Sequence, residues 1–245
     1  MDNVVDKQEW CARLRTGVEH TTFDGFPNRL SGFFPDAQRP AEMVSWGMTT
    51  MLHRALDAAF GHPRGLAGRL GGAIMARGNA EQEQWAVEHA NLRPGAQVLV
   101  VGHGPGVGLT LAATTVEPGG HVVGVDPSAT MREMARARCA AQIAAGRVEL
   151  RDGGAERTGC GDGSMDAVIS VNNVMLWDRS AGFAELHRVL RPGGTLVITV
   201  HRHVLGLPAE RLRDEVSAAG FAQVILSVRE RRLNSPAIEL VAQRS

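Results

Sequence analysis

Four glycines spaced two apart, Gly102, Gly104, Gly106 and Gly108, follow the apolar run Val98-Leu99-Val100-Val101. Glycine lets a chain turn tightly and brings backbone N–H groups close to a ligand; a helix starting there adds partial positive charge. Downstream, His121-Val122-Val123-Gly124-Val125 runs into Asp126, whose carboxylate can accept hydrogen bonds from both hydroxyls of a ribose. This pairing suits a nucleoside-containing cofactor. Two further polar groups follow later apolar runs: Asn172-Asn173 with Trp177 close behind, and His201 with His203. An imidazole titrates near neutrality, so either histidine suits a general base toward a phenol, acid or thiol.

The spacing narrows the cofactor. A dinucleotide fingerprint needs GxGxxG, but counting from Gly102 the sixth residue is Val107, and from Gly104 it is Leu109. No GK[ST] is present for a phosphate-binding loop. The chain has no tyrosine, which removes the Tyr-Lys pair of short-chain dehydrogenases.

Elements to position these residues alternate from about residue 97 onward. Valine-, isoleucine- and leucine-rich runs at 97–101, 121–125, 147–151, 166–171 and 195–200 read as strands covered on both faces. Helices are expected at 107–115, 129–145 and 181–190, with Gly146 closing the second and Arg191-Pro192-Gly193-Gly194 turning the chain after the third. This order predicts right-handed βαβ units around one parallel sheet. A helix at 208–219 leads to strands at 221–228 and 237–243, joined by Asn234-Ser235-Pro236, so the last strand should run antiparallel. Before residue 97, a loop is expected at 21–40 and helices at 44–60 and 82–91, the latter with Asn79 as N-cap.

A chain of 245 residues with 44% hydrophobic content can bury a full α/β domain and an appendage. Its 26 basic and 26 acidic residues balance, giving no electrostatic reason to expect nucleic acid or an anionic membrane surface. The three cysteines form no CxxC pair, which fits a reducing, cytoplasmic setting, and no metal is expected. No apolar run approaches the ~18 residues of a membrane span, and no secretory leader is visible.

Four joined motifs resemble those of class I S-adenosylmethionine-dependent methyltransferases of the small-molecule type, over roughly residues 80–245. These are the VLVVGHGPG turn from Val98; Val123-Gly124-Val125-Asp126-Pro127-Ser128 with Met131; Asp162-Gly163-Ser164-Met165-Asp166-Ala167-Val168; and Leu186 through Leu196 around Arg191-Pro192-Gly193-Gly194. The resemblance implies a doubly wound, Rossmann-like, seven-stranded sheet with an antiparallel last strand. It implies a domain over residues 79–245, with residues 1–78 as a helical N-terminal extension or lid. S-adenosylmethionine would contact Gly102, His103, Gly104, Gly106, Asp126, Pro127, Ser128, Met131, Gly154, Ala155, Glu156 and Asn172. Substrate would meet Asn173, Trp177 and Trp46, with His201 or His203 as base. Two departures stand out: Val100 replaces the acid that the family usually places two residues before the first glycine, and Gly154 stands where an acid often faces adenine. Asn172-Asn173-Val174-Met175 is not the Asn-Pro-Pro-aromatic pattern of amide methyltransferases.

The expected activity is methyl transfer to a small organic metabolite in specialised metabolism, with a homodimer compatible with the resemblance. Two alternatives remain open: a relative that binds the cofactor but performs a non-methylating step such as cyclisation, and a non-catalytic partner subunit.

Overall fold

The computed structural model describes residues 77–231 and 235–245, all within the larger of two compact units of the chain, Val44–Ser245. The expected loop and helix before residue 77, Trp46, and the lid role of residues 1–76 lie outside the described residues.

Seven strands form one sheet in the order β3-β2-β1-β4-β5-β7-β6. They are β1 (Gln97–Val101), β2 (His121–Val125), β3 (Val148–Arg151), β4 (Met165–Val171), β5 (Leu190–His201), β6 (Phe221–Arg229) and β7 (Ala237–Arg244). The first five pair in parallel, and β7 lies antiparallel between β5 and β6. Chain order reverses between β1 and β4, opening a crevice at their carboxyl ends where α/β sheets hold ligands.

Both faces are covered, which is why the strands read as continuous apolar runs. Val98 and Val100 of β1 join a core with Ala86 and Val87 of α1 (Ala80–His89), Leu109 and Ala112 of α2 (Val107–Thr115), and Ala135 of α3 (Ala129–Arg138). Leu99 and Val101 point to the other face. There they pack in the core built with Phe183 and Leu186 of α5 (Arg179–Val189) and Leu212 and Val216 of α7 (Ala209–Ala218). Short helices α4 (Ala140–Ala144) and α6 (Arg202–Leu205) also occur among the described residues.

Three local expectations change. The helix expected over 129–145 breaks at Cys139, whose Sγ lies 3.7 Å from the Gly106 carbonyl and 3.5 Å from Thr110 Oγ1. A residue pinned against the glycine turn resets the helix axis there. Arg191-Pro192-Gly193-Gly194 does not separate helix from strand. Leu190 already pairs with Met165, and pairing resumes at Thr195 with Ala167, so the four residues bulge out of β5. Asn79 occupies the N-cap position of α1 but makes no side-chain cap.

Candidate cofactor and active site

At the end of β1 the chain makes its turn through three left-handed glycines, with φ of 60° at Gly102, 52° at Gly104 and 87° at Gly106. Each is required for a different reason. A Cβ on Gly102 would stand 2.5 Å from the Asn173 amide nitrogen, and one on Gly106 would stand 3.0 Å from the Ala135 backbone. A Cβ on Gly104 would meet nothing within 4 Å, so this residue faces open space. Arg138 Nε donates to the Pro105 carbonyl at 2.8 Å and fixes the turn from behind. After the turn, α2 starts at Gly106 without a side-chain cap, so its first N–H groups have no partner inside the helix.

Asp126 faces this turn from the end of β2. Its Oδ2 accepts from Gly104 N at 2.9 Å and its Oδ1 from Ser128 N at 2.8 Å. Ser128 caps α3 by accepting from Met131 N, and Arg132 Nη1 donates to the Asp126 carbonyl at 2.6 Å. The carboxylate is therefore aimed and only 6% exposed, yet each oxygen retains acceptor capacity. Burial pushes its pKa up; the neighbouring His103 and the two backbone N–H groups pull the other way.

The His103 ring is buried in the turn, its Nδ1 2.8 Å from the Gly104 carbonyl. A carbonyl only accepts, so Nδ1 carries the proton and Nε2 is left as an acceptor with no partner among the described residues. Burial lowers its pKa and keeps the ring neutral. Its Cδ2 lies 2.9 Å from where a Cβ on Gly124 would stand, so the glycine in β2 makes room for the ring.

Asn173 locks the other wall of the crevice. Its Nδ2 donates to the carbonyls of Val101 at 2.8 Å and Val171 at 3.1 Å, with Gly102 at 3.3 Å, and its Oδ1 accepts from Ser170 Oγ at 2.9 Å. The expectation of a substrate contact meets a side chain 8% exposed and fully engaged in tying β1 to β4. Asn172 adopts a left-handed φ of 56°, accepts from His201 N at 2.8 Å and donates to Gln82 at 2.9 Å.

That bond opens a second polar group, along the end of β5. Gln82 of α1 is fully buried, donates to Thr199 Oγ1 at 2.9 Å, and receives Arg231 Nη1 at 3.3 Å. Arg231 Nη1 also lies 3.3 Å from His201 Nδ1, and Asn79 Oδ1 lies 3.3 Å from His201 Nε2. An arginine only donates and that amide oxygen only accepts, which sets the proton on Nε2. Burial, then Arg231 and His203, hold His201 below its ordinary pKa. His203 is exposed on α6, with ring centroids 5.5 Å apart.

Sequence reasoning missed Glu83. This α1 residue is only 9% exposed, and its Oε2 lies 2.2 Å from where a Cβ on Gly108 would stand. Burial pushes its carboxyl up to about 8. Its one sequence signal is the pairing of an acid on a short helix with a glycine in the first turn of the next.

The remaining expected residues divide. Pro127 is exposed beside Asp126, and Met131 is 3% exposed under the cap of α3. Gly154 bridges to Arg157, Ala155 is buried, and Glu156 Oε1 accepts from Asp178 N at 2.8 Å, which orients the start of α5. Trp177 meets Phe183 edge-on at 6.0 Å and lines a groove between α5 and α7 with Glu215. Among the described residues no helix is long and apolar enough to cross a membrane.

A methyltransferase-domain family matches residues 99–198. An uncharacterized methyltransferase, YdaC of Bacillus subtilis, is 29% identical over 163 residues, covering 63% of this chain and 87% of that protein. The ubiquinone/menaquinone biosynthesis C-methyltransferase UbiE of Geotalea daltonii is 34% identical over 119 residues, 47% of this chain and 49% of its own length. Among solved structures, an S-adenosylmethionine-dependent methyltransferase from Aquifex aeolicus superposes with a TM-score of 0.59 at 18% identity, covering 69% of this chain and 93% of its own. The [4+2]-cyclase SpnF gives a TM-score of 0.59 at 18% identity, covering 69% and 82%.

Proposed function

We propose that the chain is a class I S-adenosylmethionine-dependent methyltransferase, a reading supported by the methyltransferase-domain match over residues 99–198 and by the relatives and fold neighbours, and that it methylates a small organic metabolite in specialised metabolism. The observation that carries this reading is the Gly104–Asp126 pair: an aimed carboxylate with acceptor capacity to spare, beside a turn whose middle glycine faces open space.

The residues present fit S-adenosylmethionine. Asp126 is placed to accept from the ribose hydroxyls. The uncapped start of α2 and the open face at Gly104 give room and N–H donors for the methionine end. Pro127, exposed next to Asp126, offers apolar surface for adenine, with Met131 buried behind it in α3. When bound, the cofactor supplies a methyl group on a positively charged sulfur, open to in-line displacement by an acceptor atom. The protein's part is to hold that acceptor in line, ~3–3.5 Å from the methyl carbon.

For an acidic acceptor the base is His203. His201 has both ring nitrogens within 3.3 Å of Arg231 and Asn79, whereas His203 is exposed on the same rim with no hydrogen bond to its ring among the described residues. Neutral overall charge is consistent with a small uncharged or mildly acidic substrate rather than nucleic acid.

Incubation with methyl-labelled cofactor and a panel of phenols, carboxylic acids, thiols and amines tests the activity. Label in an organic product supports it. Substrate consumption without label transfer replaces it with the non-methylating reading. No turnover by the pure chain, restored by a second protein, makes it a partner subunit.

A further inference from the structure

The methyltransferase family usually carries an acid on the first strand that helps hold the amino end of the cofactor's methionine, and this chain has Val100 there. Val100 faces the core formed with Ala86, Val87 and Leu109, the side covered by α1 and α2. Glu83 approaches that same side from α1, one turn before Ala86 and Val87. Its carboxylate lies over Gly108, in the first turn of the helix that follows the glycine turn. Any side chain at 108 would displace it.

The carboxylate of Glu83 makes no hydrogen bond or ion pair with any described residue, and the residue is only 9% exposed. A buried acid without a partner is costly, and proteins rarely keep one that does nothing. The uncapped start of α2 lowers that cost for an anion, but a helix end does not neutralise a full charge. A bound cation does. We propose that Glu83 replaces the missing acid of β1 and binds the α-ammonium of the cofactor's methionine end.

The proposal rests on the methyltransferase reading, and its test separates the two. Calorimetric titration of the full chain uses two ligands, S-adenosylhomocysteine and 5′-methylthioadenosine; the second keeps the nucleoside and lacks the amino-acid end. Glu83→Gln lowers affinity for S-adenosylhomocysteine about 10- to 100-fold, the range of one charge-assisted hydrogen bond. It leaves methylthioadenosine within a few-fold of the unmodified protein. Adding Val100→Asp to Glu83→Gln recovers part of the loss.

Proton counting on the unmodified protein gives a second readout that needs no variant. Glu83 titrates at about 8 when unpaired, so it is mostly neutral at pH 7 and must ionise to meet an ammonium. Titrations in two buffers of different ionisation enthalpy should show close to one proton released per S-adenosylhomocysteine and none per methylthioadenosine. Equal loss for both ligands, no loss with Glu83→Gln, or no proton release overturns the assignment. Failure of the unmodified protein to bind either ligand overturns the cofactor reading itself.

Discussion

The glycine turn and the end of β5 lie on one rim of one sheet, yet they treat polar groups in opposite ways. At the turn, Asp126 is fixed by backbone N–H groups and keeps acceptor capacity, and His103 Nε2 is buried with no partner among the described residues. At β5, the side chains of Gln82, Asn172, Thr199, His201 and Arg231 spend their hydrogen bonds on one another, on Glu81 and Asn79, and on the His201 backbone. Unspent capacity at the turn is what the proposed cofactor site rests on. Spent capacity marks a place where α1 and the segment after β6 are fastened to the sheet. Polar residues at the carboxyl edge of an α/β sheet are thus not equivalent, although all are expected to face ligand.

Asn173 offers the largest effect. If it is a fastener, Asn173→Ala should cost about 3–4 kcal/mol in unfolding by denaturant, since it strips partners from Ser170 and three carbonyls and opens a void beneath Gly102. A loss below about 1 kcal/mol with weakened substrate binding would move it to the ligand side.

Asp126→Ala should weaken S-adenosylhomocysteine about 30- to 100-fold, with a smaller stability loss than Asn173→Ala, about 1–3 kcal/mol, because Gly104 N and Ser128 N lose their acceptor. A loss under threefold would mean that the carboxylate only shapes the turn.

Glu83 sharpens the contrast through pH. Its folded pKa of about 8 lies above an ordinary carboxyl, so the folded state binds the extra proton between the two values. The free protein should therefore lose stability as pH rises from about 4.5 toward 8. Glu83→Gln should flatten that slope and raise the melting temperature more at pH 8 than at pH 5. An unchanged slope would place another group in charge of it.

His201→Ala should be the mildest, about 1 kcal/mol or less in stability, because both ring contacts are 3.3 Å long. The rate with an acidic substrate should be largely kept in this variant and fall in His203→Ala. The opposite result would exchange the two histidines.

Much of the fold was legible because its signals are contiguous. Five of the strands announced themselves as apolar runs, and the hairpin at Pro236 set β7 antiparallel. The bulge at Arg191–Gly194 escaped, because pairing of Leu190 with Met165 is decided by a neighbour and not by the turn residues. The break at Cys139 escaped for the same reason: its cause, contact with Gly106, lies in the glycine turn 33 residues away.

The site divides along the same line. The sequence by itself determined the glycine spacing, the acid at the end of β2 and the class of cofactor, because strand, turn and helix start are successive pieces of backbone. It also showed that Val100 is not an acid. Only the tertiary structure decided where charge could come from instead, and which polar side chains were already occupied. Glu83 reaches Gly108, and Gln82 reaches Thr199, Asn172 and Arg231, across long stretches of chain. A hydrogen bond saturates its donor and acceptor, so the availability of any one group depends on every neighbour that packing brings to it.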